Sequence, residues 1–141
     1  MYSIPAATPL FPFPLKSRVD KICGELGIAS IAPIWGINQE TYLKTLLKAN
    51  FKAIIIKVAA DGLGKEWLGR QLVEATIAEL VELNRKFGIN ISGEGGEYES
   101  LVLDCPIFTK KLEIVRASKI WSEKERTGYL EILEFASSVK V

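Results

Sequence analysis

The sequence lacks histidine altogether, and only two of its 141 residues are cysteines. Without histidine the chain can form neither a serine–histidine triad nor a histidine-ligated metal site. Cys23 and Cys105 lie far apart and form no CxxC pair, so the spacing of a zinc site is missing and we expect no metal. Two isolated thiols are typical of a reducing compartment, which predicts a cytoplasmic location.

The chain also lacks an excess of either charge. Lys and Arg number 18 and Asp and Glu number 17, for a net charge of +1. This balance gives no electrostatic reason to expect nucleic acid or an anionic membrane as a partner. No apolar run approaches the roughly 20 residues of a membrane span. Apolar residues still make up 48% of the chain, which predicts a folded domain.

No phosphate-binding loop of the GxxxxGK[ST] or GxGxxG type occurs in these residues. Gly62, Gly64 and Lys65 form a superficially similar group, but the spacing is wrong and no Ser or Thr follows. The sequence therefore offers no recognisable cradle for nucleotide phosphates.

The first 16 residues contain four of the six prolines. Because proline fixes φ and lacks an N–H donor, we predict that residues 1–16 form neither a helix nor a central strand. Their bulky apolar side chains favour an extended segment lying on an apolar surface. The alternative is a disordered start.

Residues 17–60 are predicted to alternate between helix and strand. Asn38 is suited to cap the second helix, and Asn50 to end it in a left-handed conformation. Two continuous apolar runs are typical of strands covered on both faces, as in parallel sheets. Strand, helix and strand of these lengths indicate a right-handed βαβ unit. In chain order the predicted elements are a helix over 18–26, a strand over 28–35, a helix over 38–50 and a strand over 51–60.

The second half is predicted to change from parallel to antiparallel structure. A loop over 61–70 precedes an amphipathic helix that ends at Gly88, and a short third parallel strand over 89–92 follows. Beyond residue 110, alternating segments joined by the polar turn EKERTG indicate antiparallel strands. The predicted class is α/β, a short parallel βαβ sheet continuing into a C-terminal antiparallel β meander.

Residues 93–100 (GEGGEYES) combine three carboxylates with three glycines. Glycine lets backbone N–H groups approach a ligand, and neighbouring carboxylates can hold a cation or act as acid and base. Predicted to follow a buried parallel strand, the segment would lie at the ligand edge of the sheet. The alternative is a solvated acidic turn. Arg70 could clamp a carboxylate or phosphate, or be an ordinary surface arginine beside Trp67.

The stretch GEGGEYESLVLDCPIF, residues 93–108, resembles the hallmark of the diphthine–ammonia ligases, also described as N-type ATP pyrophosphatases. Ala32–Trp35, Ile54–Ala60 and Trp67–Arg70 match in the same order. The resemblance implies three regions. They are a non-family head over 1–16, a remnant of an adenine-nucleotide alpha-hydrolase-like (HUP) domain over 17–60, and a substrate-side domain over 61–141.

By resemblance, the reaction converts diphthine on elongation factor 2 to diphthamide. ATP with Mg adenylates the diphthine carboxylate, and ammonia displaces AMP. The trimethylammonium group of diphthine suits carboxylates beside an aromatic ring. No catalytic residue is assigned. The expected substrate-binding residues are Glu94, Gly95, Gly96, Glu97, Tyr98, Glu99 and Arg70.

The family's SGGKDS-type ATP loop is missing from this sequence, so we expect no cofactor binding by the chain alone. A truncated gene product or a shifted reading frame upstream of Ser17 would explain the departure. Three interpretations stay open: an enzyme fragment that is inactive alone, a binding module for elongation factor 2, and a self-associating structural protein. An exposed sheet edge predicts a homo-oligomer, with a two-fold dimer as its simplest form.

Overall fold

A computed structural model describes residues 13–140 of the chain, with side chains from Lys16 onward. Within this range the four strands form one sheet in the order β2-β1-β4-β3, and every neighbouring pair is antiparallel. A short 3₁₀ turn spans Lys65–Trp67. The helices are α1 (Phe13–Glu25), α2 (Gln39–Lys48) and α3 (Glu74–Phe87), and the strands are β1 (Lys52–Val58), β2 (Tyr98–Asp104), β3 (Lys110–Ser122) and β4 (Thr127–Val139).

The predicted parallel sheet was wrong, although the coarser prediction of a mixed helix-and-sheet domain is confirmed. Residues 28–35 and 89–92 form loops and turns, so β1 has no parallel neighbour among residues 13–140. Pro33 interrupts the first run and cannot donate to a strand ladder. In the second run, the Asn90 side chain accepts a hydrogen bond from the Ser92 N–H at 3.0 Å. That contact is an Asx-type turn, which competes with an extended strand.

The structure tests only part of the prediction for the head, because residues 1–12 lie outside the described residues. For residues 13–16 the exclusion of helix was wrong, since α1 begins at Phe13. Pro14 lies in the first turn, where the backbone N–H has no helical partner and proline costs no hydrogen bond. Gly27, just beyond the helix, has φ +67°, as a glycine stop requires.

Local helix signals were predicted correctly. Asn38 caps α2, its Oδ1 accepting the Thr41 N–H at 2.9 Å. Asn50 and Gly88 both adopt left-handed backbone, with φ 59° and 71°. These features depend on residues a few positions apart, so they do not require knowledge of the tertiary fold. Between residues 13 and 140, no helix has the length and hydropathy that crossing a bilayer requires.

The core lies between helices α2 and α3, the two central helices, and one face of the sheet. Ala53, Ile55 and Val58 of β1 pack there with Ile77 and Leu80 of α3. Ile55 and Leu80 are fully buried. The register of β1 against β2 shifts between Ile55 and Lys57. Ile55 and Val58 are three residues apart and both belong to the core, which a regular two-residue alternation would not allow. This helix-covered face also carries the candidate site.

The predicted antiparallel strands after residue 110 are confirmed as a long hairpin of β3 and β4, paired from Lys110↔Val139 to Ser122↔Thr127. The hairpin pairs with the end of β1 at Lys57↔Tyr129 and Val58↔Gly128, and the Thr127 hydroxyl donates to the Val58 carbonyl at 2.8 Å. Its open end is held to β2 by Lys140, whose Nζ lies 2.8 Å from Asp104 Oδ1 and donates to the Cys105 carbonyl at 2.7 Å. The Lys140 ammonium also lowers the pKa of Asp104.

Candidate functional site

The acidic glycine-rich segment forms a compact turn immediately before β2. Gly93 and Gly96 have φ +77° and +89°, a region that side-chain-bearing residues rarely adopt. A Cβ at Gly93 would lie 2.8 Å from the carbonyl oxygen of Tyr98. The Gly96 N–H closes the turn on the Gly93 carbonyl at 3.0 Å. These two glycines are therefore required by the path of the backbone.

Glu97 directs its carboxylate back into this turn. Oε1 accepts the Asn90 N–H and Oε2 accepts the Gly95 N–H, each at 2.9 Å. The Glu97 carbonyl accepts the Ala59 N–H at 2.8 Å, which ties the turn to the end of β1. The side chain thus organises the loop and does not line the neighbouring cavity.

Tyr98 anchors the turn to the core. Its side chain is 4% exposed, and its hydroxyl donates to the Ile91 carbonyl at 2.7 Å. Burial, followed by the charges of Glu97 and Glu94, raises the pKa of Tyr98 well above its usual value. The phenol therefore stays protonated and keeps its role as a hydrogen-bond donor at neutral pH.

A cavity of about 110 Å³ lies beside Tyr98, between the two central helices and the face of β1 and β2. Its walls are mostly apolar, and its polar groups come from Tyr42, Ser92, Glu94 and Ser100. Glu94 is the one carboxylate among the described residues that line it. Partial burial, with the nearby Glu94 charge, raises the pKa of Tyr42. The other lining residues are Leu43, Leu46, Leu47, Phe51, Ala53, Leu72, Ile77, Tyr98 and Val102.

Of the seven expected substrate-binding residues, Glu94 and Tyr98 line the cavity, whereas Gly95, Gly96 and Glu97 belong to the turn but not to the lining. The remaining two are paired elsewhere. Glu99 is on the opposite face of β2, where it accepts a hydrogen bond from Lys57 Nζ at 2.7 Å. The guanidinium of Arg70 binds both carboxylate oxygens of Glu79, at 2.8 and 2.5 Å. It also stacks 4.1 Å from the ring centroid of Trp67. Both charges are therefore already paired within the chain.

The sequence patterns did not single out Tyr42, Ser92 or Ser100 as site residues. The two-residue period of β2 places Ser100 on the same face as Tyr98, so this signal could have found it. No sequence signal identifies Tyr42, because its position depends on how α2 packs over β2. Gln39 was also missed. It is 2% exposed, and its Oε1 accepts the Ile91 N–H at 2.6 Å, which joins α2 to the turn.

The arrangement is a single exposed carboxylate on the lining of a small, largely apolar cavity that includes aromatic residues. Such a site can hold a cation whose charge is carried by a methylated or otherwise apolar head. Across residues 13–140, no three Cys, Asp or Glu side chains come together as ligands for a metal ion.

The family profile of the diphthamide synthase C-terminal domain matches residues 38–138. The match includes the acidic turn, the cavity and most of the sheet. The chain belongs to this family. The resemblance inferred from residues 93–108 is thereby confirmed for the C-terminal part of these proteins.

Several curated relatives carry the name diphthine–ammonia ligase. The Mus musculus protein is 46% identical over 100 residues, which are 70% of this chain and 37% of that protein. The Bos taurus protein is 40% identical over 131 residues, 89% of this chain and 48% of that protein. The Schizosaccharomyces pombe protein is 38% identical over 117 residues, which are 83% of this chain and 19% of that protein. The chain therefore spans less than half the length of each of these relatives.

Proposed function

We propose that this chain provides the substrate side of a diphthine–ammonia ligase. In that reaction the diphthine carboxylate of elongation factor 2 attacks the α-phosphorus of ATP, with Mg, and releases pyrophosphate. Ammonia then attacks the acyl carbon, and AMP leaves with the bond electrons to give the amide. The observation that carries the proposal is that Glu94, an exposed residue of the family's acidic turn, lines the cavity.

The cavity fits the cationic end of diphthine. A trimethylammonium group has no N–H to donate, so it is recognised by aromatic faces and by a carboxylate at short range. Tyr42 and Glu94 supply these two features, and the apolar wall accommodates the methyl groups. Bound in this way, the substrate carboxylate would point out of the cavity towards a nucleotide-binding part. A remnant of such a HUP-type domain over residues 17–60 stays a prediction.

The test is reconstitution in two parts, because the 141 residues contain no SGGKDS-type loop. The chain alone, given diphthine-bearing elongation factor 2, Mg-ATP and ammonium, is expected to release no AMP and form no amide. Addition of the nucleotide-binding part of a curated relative is expected to restore both. Amide formation is followed by the mass of the modified peptide, and AMP release by chromatography.

Glu94→Gln is the decisive variant, and Glu99→Gln its matched control. Loss of the Glu94 charge is expected to raise KM for the elongation factor about tenfold or more, the equivalent of about 1.4 kcal/mol of binding. Unchanged KM in Glu94→Gln, or AMP release by the chain alone, would contradict the proposal.

A non-catalytic binding module for elongation factor 2 is the second candidate. It is favoured because all the residues that line the cavity lie within the matched range 38–138. Capture of diphthine-bearing elongation factor 2 without amide formation in the reconstitution would support it. Either function places the protein in the cytoplasm with its partner.

We also propose that the chain self-associates. The prediction rested on the exposed edge of a parallel sheet, but the sheet is antiparallel, so the proposal now rests on other features. Among the described residues β3 pairs only with β4, so its outer edge is open along 13 residues. Lysines along β3 oppose open-ended pairing of this edge with many chains. We therefore expect association to stop at a closed two-fold dimer. Apolar side chains are exposed on both the hairpin and α1, among them Phe135 at 64% and Ile22 at 54%.

Light scattering across a dilution series is expected to show a dimer that dissociates on dilution. Phe135→Glu is expected to shift the equilibrium to monomer if the hairpin forms the interface, and Ile22→Glu if α1 does. A monomer at every concentration would refute self-association.

A further inference from the structure

The three glutamates of the acidic turn occupy three different environments, although they lie within six residues of one another. Glu94 lines the cavity and has no hydrogen-bond partner among the described residues. The Glu97 carboxylate is used by two backbone N–H groups. Glu99 forms an exposed ion pair with Lys57 on the other face of β2. The sequence pattern treats them alike, but their contacts do not.

Glu97 joins the two arms of the turn. Asn90 belongs to the segment that enters from α3, and Gly95 lies at the tip, so one carboxylate bridges the entry and the tip. Charge-assisted hydrogen bonds of this kind are roughly twice as strong as neutral ones. Both backbone donors point inward at Glu97, and a neutral amide could accept from only one of them.

The turn needs such a bridge because its backbone has little rigidity of its own. Three of the five residues from Gly93 to Glu97 are glycines, which have the greatest conformational freedom in the unfolded or open state. Gly95 directly follows Glu94 in the chain. Holding the Gly95 N–H therefore also determines where the Glu94 side chain leaves the backbone.

We infer that Glu97 is a positioning residue whose carboxylate holds the turn closed so that Glu94 faces the cavity. Glu94 is then the carboxylate that meets the ligand, and Glu99 contributes to neither task. The inference rests on the proposed function only for the chemistry of the ligand. The bridge itself follows from the contacts of this chain.

The experiment uses the full chain and amide NMR spectra of the wild type, Glu97→Gln, Glu94→Gln and Glu99→Gln. Tetramethylammonium chloride serves as the probe for the cavity. In Glu97→Gln the Asn90 and Gly95 amide signals are expected to shift and exchange faster with solvent, and probe affinity to fall about tenfold, or about 1.4 kcal/mol. Glu94→Gln is expected to lose the probe, while the Asn90 amide keeps its position and the Gly95 amide keeps its slow exchange, because both remain bonded to Glu97. Glu99→Gln, the matched control, is expected to change neither readout.

The amides outside the turn separate positioning from a general effect on folding. In Glu97→Gln the changes are expected to be confined to the turn, at the Asn90 and Gly95 amides that the carboxylate bridges, while amides of the core such as Ile55 and Leu80 keep their positions. A variant that was only less stable would lose signal across the whole spectrum instead.

Unchanged Asn90 and Gly95 amides in Glu97→Gln would overturn the inference, as would shifted amides with full probe affinity. If the wild type fails to bind tetramethylammonium, the quaternary-cation ligand of the proposed function is wrong. The amide shifts and their solvent exchange then decide by themselves whether Glu97 holds the turn.

Discussion

Replacement of Tyr98 by alanine is expected to lower the free energy of unfolding by about 3–5 kcal/mol, the range for large aromatic side chains removed from a core. The Tyr98 side chain is 4% exposed and packs in the core cluster with Val58 and Ile55. Its removal also leaves the buried Ile91 carbonyl without the hydroxyl donor seen at 2.7 Å. Equilibrium denaturation in urea measures the change, with an unchanged slope as the sign that the folded state is retained.

One further variant isolates the contribution of the hydroxyl group, and another serves as a control at an exposed tyrosine. Tyr98→Phe keeps the ring and removes only the hydroxyl, at an expected cost of about 1–3 kcal/mol for the unsatisfied carbonyl. Tyr129→Ala removes a tyrosine that is 49% exposed on β4, and is expected to cost about 1 kcal/mol or less. If Tyr98→Ala costs no more than Tyr129→Ala, Tyr98 does not anchor the turn to the core.

Gly93→Ala is expected to cause the second largest loss in the free energy of unfolding. It is also expected to weaken ligand binding at the cavity. A side chain at φ +77° costs about 1–3 kcal/mol in backbone strain. The new Cβ would also lie 2.8 Å from the Tyr98 carbonyl oxygen, which is backbone and cannot move without shifting the start of β2. Such a shift displaces Glu94 from the cavity, so tetramethylammonium binding is expected to fall together with stability.

Two other glycines serve as controls for Gly93→Ala. At Gly96, with φ +89°, an added Cβ meets open space, so Gly96→Ala is expected to cost only the backbone strain. Gly24 lies in α1 and a Cβ there also meets open space, so Gly24→Ala is expected to stabilise the helix by up to about 1 kcal/mol. If Gly93→Ala and Gly96→Ala lower the free energy of unfolding by the same amount, the contact with the Tyr98 carbonyl carries no cost.

The direction of the strands could not be predicted from the apolar run in β1. Such a run indicates that both faces of a strand are covered, but it does not say what covers them. Here helices cover one face, where Ile55 lies in the core. On the other face Ile54 lines a groove with Leu112 and Leu130 of the hairpin. Two antiparallel neighbours thus produce the pattern that is more common in parallel sheets.

The predicted elements that proved correct depend on interactions within a few residues. Asn38, Asn50 and Gly88 stop or start helices through their own backbone preferences and nearest N–H groups. The hairpin of β3 and β4 follows from alternation and a polar turn. By contrast, the apolar runs over 28–35 and 89–92 required partner strands that the tertiary fold does not provide.

By itself the sequence determined the family, the helix ends, the hairpin and the location of the acidic turn. Each of these is encoded in contiguous residues, above all in the stretch 93–108. Only the tertiary structure decided which glutamate has which surroundings. Lys57, which pairs with Glu99, is 42 residues away from it, and Tyr42, which lies in the cavity wall with Glu94, is brought there by the packing of α2. Side chains that are identical in sequence acquire different environments because long-range packing sets the burial, charge and hydrogen-bond donors around each one.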